Sequence, residues 1–419
     1  MISVPLKIFI NIFSFMKYII NIFSFMKYIR IILSEPIIIF TFIPSVIFLL
    51  IMFLIQKIFL IRIGFLHSNR IGHFAANTEL YILKKKHFNI RSYDLFYYGR
   101  SEVCNLYLAK IWKNHIKILP YVLLRCLDLI IRATPLKNNF SCNNFSNTAR
   151  DIYGLYEKYL PIIRLNKNEE NNFFKKINLT KEDKVVCLNV RDSAYLKTIY
   201  RDKKHDLEHY NFRNCDIQNF KTTVNYLLNN GYKVFRIGKE KEKYLDIEHQ
   251  NFFDKIYSLN REDSTDVFLA SICKFCISTG SGFDALPRLF RKPILFVNFI
   301  PVIHYHSFCK KDLTICKHLF REKKLSLNEV FSENIFNGLN SQYYSNKNIK
   351  LVENSSIEIM DATQEMLLRI QNKYTYSDEN INRQKAIKNI IKENSIDQKL
   401  HGKLLSDFGE KYLLENFNV

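Results

Sequence analysis

Near its start the chain carries a stretch in which apolar residues run on with no polar face. Residues 37–55 hold no charge over 19 positions, and a helix that crosses a bilayer needs about 20 residues. Pro44 falls inside this stretch, where a membrane helix tolerates it. From residue 61 the pattern changes to short apolar runs separated by segments with helical spacing. Runs at 61–66, 94–98 and 116–119 predict strands, and 73–85 predicts a helix after the first of them. The stretch 138–147 is polar and turn-rich and reads as a loop. Alternation resumes with strands expected at 185–190, 233–237, 255–259, 275–278 and 294–297, and helices at 217–228, 264–272 and 282–290. The tail, 356–392, reads as two helices broken near 374–377. Strands alternating with helices imply a parallel sheet covered on both faces. The expected architecture is therefore α/β. A membrane anchor spans 1–60, its transmembrane helix at about 37–56, and α/β domains follow over 61–180 and 181–345. A helical extension fills 346–419.

Composition narrows the class. With 47% hydrophobic and 24% charged residues the chain is globular rather than disordered. The net charge is +21, and residues 1–70 supply +6 of it through Lys7, Lys17, Lys27, Arg30, Lys57, Arg62 and Arg70 against Glu35. The rest reads as thinly spread, which suits anionic lipid surfaces and phosphorylated substrates. Zinc-finger spacing, RNP-type aromatics and a basic dimer helix are all missing, so nucleic acid is not an expected partner. Nine cysteines, an odd number, lie mostly in apolar runs. Cys273 and Cys276 form a C-x-x-C with no second pair, which points to buried thiols in a reducing cytosol. No small-residue cleavage signature follows the apolar stretch, so a removed signal peptide is disfavoured. These signals place the catalytic part in the cytoplasm, held at the inner membrane by a single-pass or hairpin anchor. A ten-residue repeat, INIFSFMKYI, occupies 10–19 and again 20–29. Ten residues advance a helix by about 280°, so Lys7, Lys17 and Lys27 share no face, and no function is assigned to it.

Only 11 glycines occur, and Gly72, Gly99, Gly238, Gly280 and Gly282 all fall just beyond expected strands. Open α/β sheets bind ligands there, where glycine lets main-chain amides approach a phosphate at a helix N-terminus. Ser278-Thr279-Gly280-Ser281-Gly282-Phe283-Asp284 carries this signal best. Its amides and hydroxyls would hold a diphosphate, and Asp284 would bond a ribose or sugar hydroxyl. A plain strand-to-helix turn, with Asp284 placed for the helix dipole, gives the same string. His73, after Gly72, suits a general base or a capping role. Arg191 would fork onto a phosphate or pair with Asp192. His209, Tyr210, Arg213 and Asn214 form a polar cluster, and Arg236 and Gly238 end the next strand. His304 and His306 have no carboxylate nearby in sequence, so they read as loop residues rather than metal ligands.

Taken in order, RIGHFAANTELY (70–81), LNVRD (188–192), HYNFRN (209–214), GYKVFRIG (231–238), DSTDVFLASICKFCISTGSGFD (263–284) and KPILFVN (292–298) resemble a bacterial glycosyltransferase family. That family is encoded with surface-polysaccharide (capsule and O-antigen) genes. IEIMDATQEMLLRI (357–370) and FGEKYLLENF (408–417) are similar too. The resemblance runs from about residue 61 onward. It implies a GT-B-like pair of facing Rossmann-like domains, the second holding a nucleotide-sugar donor and the first the acceptor. Gly280, Ser281, Gly282 and Asp284 would lie on the donor side, and Gly72 and His73 toward the acceptor or the diphosphate. Such enzymes usually act without a metal or other cofactor, and the lack of an Asp-x-Asp motif agrees. The implied reaction moves a sugar to a lipid-linked or membrane-proximal saccharide. Arg191, Arg236 and the 280–284 loop would stabilise the leaving diphosphate, and His73 would deprotonate the acceptor. A pyruvyltransferase-like group transferase and a non-catalytic membrane scaffold are the alternatives.

Overall fold

A computed structural model of the chain describes residues 36–100, 103–142, 149–199, 208–256, 262–394 and 400–418. The ten-residue repeat lies outside them. The chain divides into two compact units, residues 1–149 and 150–419.

Unit 1 begins with helix α1 (Pro36–Ile55) and continues through β1 (Ile61–Leu66), α2 (Ile71–His87), β2 (Tyr93–Tyr98), α3 (Leu106–Trp112), β3 (Lys117–Ile118) and α4 (Tyr121–Arg132). Its three strands are parallel in the order β1-β2-β3, with Ile61 opposite Tyr93 and Leu95 opposite Lys117. Both runs are buried along most of their length, as expected of strands covered on two faces. Lys84, Lys85, Lys86 and His87 fill the last turn of α2, where positive charge complements the helix dipole. The apolar α1 is long enough to cross a membrane, yet one face of it belongs to this unit's core. Ile38, Leu49 and Met52 are fully buried among Ile63, Tyr97, Leu127 and Ile131.

Unit 2 contains α5 (Lys167–Lys176), β4 (Lys184–Asn189), α6 (Lys221–Asn229), β5 (Tyr232–Arg236), β6 (Phe252–Phe253), α7 (Ser264–Ile272), β7 (Phe275–Ser278), α8 (Ala285–Leu289), β8 (Ile294–Phe299), β9 (Leu313–Cys316), β10 (His318–Phe320), β11 (Lys350–Val352), α9 (Ser356–Ile370), α10 (Asp378–Asn394), β12 (Asp407–Phe408) and α11 (Glu410–Asn416). Seven strands form one sheet in the order β12-β9-β8-β7-β4-β5-β6, and every pair is parallel. Val186, Val234, Phe275 and Phe296 are fully buried, so these strands read as continuous apolar runs. β10 and β11 pair antiparallel outside the sheet.

A short strand forms at 252–253, and of the strand expected at 255–259 residues 257–259 lie outside those described. Phe253 of β6 stacks on Phe235 at 4.2 Å, and the next residue, Asp254, ends the strand. Its carboxylate accepts from the Leu245 amide at 2.8 Å and pairs with Arg236 at 3.2 Å. A buried charge that needs both partners turns the chain out of the sheet. The tail does more than cap with helices, since β12 joins the sheet beside β9 through Asp407 and Phe408. At two residues it leaves no periodicity to read.

Candidate functional site

Counted from β4, the large sheet runs 3-2-1-4-5-6-7. The chain therefore winds outward in both directions from the β4–β7 seam. Connections there leave on opposite faces and open a crevice at the carboxyl ends of the strands. Two of the segments singled out in the sequence emerge at that seam: residues 189–192 after β4 and 278–284 after β7.

A hydrogen-bonded turn joins them. The Asn189 side-chain Nδ2 donates to Ser278 Oγ at 3.0 Å, Ser281 Oγ at 2.7 Å and Asp284 Oδ1 at 3.2 Å. Ser278 accepts from the Gly280 amide at 3.1 Å and donates to Asp284. The Ser281 amide donates to Asp284 Oδ2 at 2.7 Å, and Ser281 Oγ accepts from the Phe283 amide, a capping box. Thr279 Oγ1 accepts from the Arg191 amide at 2.9 Å, tying the two strand ends together. The Gly280 and Ser281 amides are thus engaged within the turn, and both Asp284 oxygens have donors. Burial pushes the Asp284 carboxyl up to about 6 despite those donors. Gly280 is required for the turn itself. Its φ is +81°, and a Cβ there would lie 3.0 Å from the Phe299 ring. A register shift in β8 between Phe296 and Phe299, with Asn298 left-handed, aims that ring at Gly280.

Against this turn lies a pocket of about 230 Å³ within unit 2, walled by Gly280, Ser281, Asp284, Tyr210, Arg213, Arg150, Phe299, His304 and His306 among others. Arg150 and Arg213 line it together with the Asp284 carboxylate, whose charge acts on Arg213. Arg213 donates to the Gly280 carbonyl at 2.5 Å, while its buried Nε has no hydrogen-bond partner. Arg191 sits close enough to feel the charge of Arg213, and its Nε is also buried and unpartnered. Arg150 donates to the carbonyls of His304 at 2.9 Å, Tyr305 at 2.6 Å and Leu400. Among the described residues none of the three forms a salt bridge. Burial, and for Arg191 the nearby Arg213, lowers Arg150 and Arg191 to about 10, and burial lowers Arg213 in the same direction. Burial and then Arg150 and Arg213 hold His304 down at about 4, so it is neutral at pH 7. His306 is lowered as well, by burial and by Arg150, Arg288 and Arg213. Desolvated guanidinium groups without a salt-bridge partner are costly in a resting protein and become favourable when an anion arrives.

The remaining residues singled out lie elsewhere. Gly282 is exposed at the start of the turn's short helix. Arg236 is buried and paired with Asp254, with Lys241 on the same carboxylate and Asp192 at 3.8 Å. Gly238 ends that strand with φ +119°, outside the pocket wall. Asp192 accepts from the amides of Ala194 and Glu242, bracing the loop. Gly72 and His73 belong to unit 1, on the first turn of α2. His73 Nδ1 meets the Asn77 amide nitrogen at 3.2 Å, and Asn77 Oδ1 accepts from the Ala149 amide. With Asn77 held that way, the neutral ring carries its proton on Nε2. To act there as a base, His73 must exchange the Asn77 contact.

Sequence reasoning passed over Arg150, which no motif surrounds, and took His304 and His306 for loop residues. A lone arginine and two histidines after a strand carry no spacing signal. Asn189 was legible as part of the strand end, but its place at the centre of the turn was not.

No protein-family model matches the chain, and no curated protein does. Among solved structures it is similar to a glycosyl transferase family 9 protein from Veillonella parvula. That likeness has a TM-score of 0.41 at 12% identity and covers 74% of this chain and 97% of that one. It is also similar to TibC, an iron-containing dodecameric glycosyltransferase from enterotoxigenic E. coli, with TM-score 0.27, 11% identity, and coverage of 57% and 59%. Both likenesses are too distant to carry residue roles to this chain.

Proposed function

We propose that the chain is a glycosyltransferase whose unit 2 grips the phosphates of a nucleotide-sugar donor at the β4–β7 seam. The observation that carries this reading is the pair Arg191 and Arg213, half-buried at the switch point of a parallel sheet, each with a buried Nε that has no hydrogen-bond partner and neither in a salt bridge among the described residues. A cavity of about 230 Å³ is below the roughly 300–1,000 Å³ of pockets that enclose whole ligands. It suits the charged part of a donor better than the entire molecule. As the glycosidic bond breaks, negative charge grows on the departing phosphate, and cations lacking partners beforehand stabilise that state more than the ground state. Ser278, Thr279, Ser281 and Asp284 shape the turn, and Gly280 lets it close. His73, beside Gly72, is assigned to the acceptor hydroxyl as general base. The acceptor is a lipid-linked or membrane-proximal saccharide of surface-polysaccharide synthesis, met at the cytoplasmic side of the inner membrane. The apolar α1 supports that location.

The test is incubation of purified protein with UDP-, GDP-, CMP- and dTDP-sugars. One donor should raise the melting temperature and release its nucleoside mono- or diphosphate. Turnover should fall roughly 100-fold or more in Arg191→Met. If all four leave both the melting temperature and the free nucleotide unchanged, the reading fails.

A further inference from the structure

The apolar helix α1 has two unlike faces. Ile38, Ser45, Leu49 and Met52 are buried against unit 1. Phe40, Ile43, Ile47, Ile51 and Leu54 form a stripe at helical spacing on the opposite side, between 45% and 82% exposed. Ile58 and Phe59, just past the helix, continue it, and Val122 and Leu123 at the start of α4 are exposed as well. An apolar stripe of this length has no reason to face water.

The packed face argues against a simple crossing. Cys126, midway along α4, lies beside Ser45 and Thr41 of α1. The buried residues near both ends of α1 share one core with Leu124, Leu127 and Ile131. A bilayer-spanning α1 would therefore take α4 with it. Arg125, Asp128 and Arg132 would then sit at hydrocarbon depth, where charges are costly.

Charge names the partner. Residues 1–149 hold 18 Lys and Arg against five Asp and Glu, a net +13 of the chain's +21, so the excess is concentrated here rather than spread thinly. The described carboxylates of this unit, Glu79, Asp94 and Asp128, are all buried. Lys57, Arg70, Lys86, Arg91, Lys113 and Lys117 are exposed. A basic surface with no exposed carboxylate among the described residues, joined to an apolar stripe, matches an anionic lipid surface.

We infer that α1 lies in the plane of an anionic bilayer as the membrane-facing wall of unit 1, instead of crossing it. The inference is independent of the reaction proposed above. A fluorescent label would be attached to full-length protein through Phe40→Cys, Ile47→Cys or Leu54→Cys. The background is Cys104→Ser, because the other native thiols are buried. Depth is then read with quencher lipids in phosphatidylcholine vesicles containing roughly a quarter phosphatidylglycerol. In-plane seating predicts three similar, shallow depths. A spanning helix separates positions 40 and 54 by about 21 Å along its axis, putting Ile47 deepest by about 10 Å. That result overturns the inference, and so does absence of quenching at all three positions, which would mean residues 1–35 or a second copy covers the stripe.

A binding arm compares Ile47→Glu/Ile51→Glu with Ile357→Glu, an exposed site in unit 2. The first should weaken vesicle binding at least about tenfold with an unchanged melting curve, and the second should leave it intact. Purely neutral vesicles should also bind at least about tenfold less. Unchanged binding in either comparison overturns the proposal.

Discussion

Replacing Arg213 by methionine separates a ligand-binding arginine from a structural one by the sign of its effect on stability. The guanidinium makes one hydrogen bond, to the Gly280 carbonyl at 2.5 Å, and buries an Nε with no partner. Losing a hydrogen bond from a charged donor costs about 1.5–3 kcal/mol, and removing an unsatisfied buried donor returns about 1–3 kcal/mol. Methionine fills a similar volume with apolar atoms, so packing is largely kept. The two terms nearly cancel, and Arg213→Met should lie within about 1 kcal/mol of the parent. That corresponds to a shift of about 2–4 °C in melting temperature for a domain of this size. Binding of a nucleoside diphosphate should respond quite differently. Loss of one charge-assisted contact of about 1.5–3 kcal/mol weakens it roughly 10- to 150-fold. Calorimetric titration with the diphosphate that stabilises the parent reads this directly, and thermal melts of the unliganded proteins read the stability. A variant that melts far below the parent yet binds the diphosphate equally well would refute the reasoning, because Arg213 would then be serving the fold.

Two further outcomes follow from the same turn. Gly280→Ala forces a side chain into left-handed backbone, about 1–2 kcal/mol. It also presses a Cβ to 3.0 Å from Phe299, so denaturant melts should show a loss of about 2–4 kcal/mol in all. Asp284 titrates at about 6 when folded because it is buried, against about 3.9 when unfolded. Between those values the folded chain keeps a proton that the unfolded chain has released. The stability from this group is therefore full below about pH 4 and lost as pH rises through about 6. Urea melts at pH 4.5 and 7 should show the wild type losing more stability than Asp284→Asn over that interval. Equal losses would mean that the carboxyl is not shifted.

Much of the fold was open to local reading. The helix at 264–272 and the strands at 61–66 and 275–278 form where periodicity placed them, because apolar spacing depends on neighbours a few residues away. The end of the short strand at 252–253 shows the limit. Apolar residues continue past Asp254, but its carboxylate is needed by Arg236 and by the Leu245 amide, nine and more residues distant. Likewise β12 joins the sheet only because the returning tail lies beside β9.

Arg191, Arg213 and Arg236 look alike as letters near strand ends, and composition says only that cations are abundant. Folding brings Asp254 into a salt bridge with Arg236 and brings no described carboxylate into a salt bridge with the other two. That difference turns one arginine into an internal brace and leaves a pair open to an anion. The sequence alone determined the alternation of strands and helices, the rim on which glycine and polar residues collect, and the presence of a long apolar helix. Tertiary structure decided which charges stay unpaired and which face of that helix remains uncovered. Pairing and burial depend on residues far apart in the chain coming within a few ångströms, and no local pattern records that.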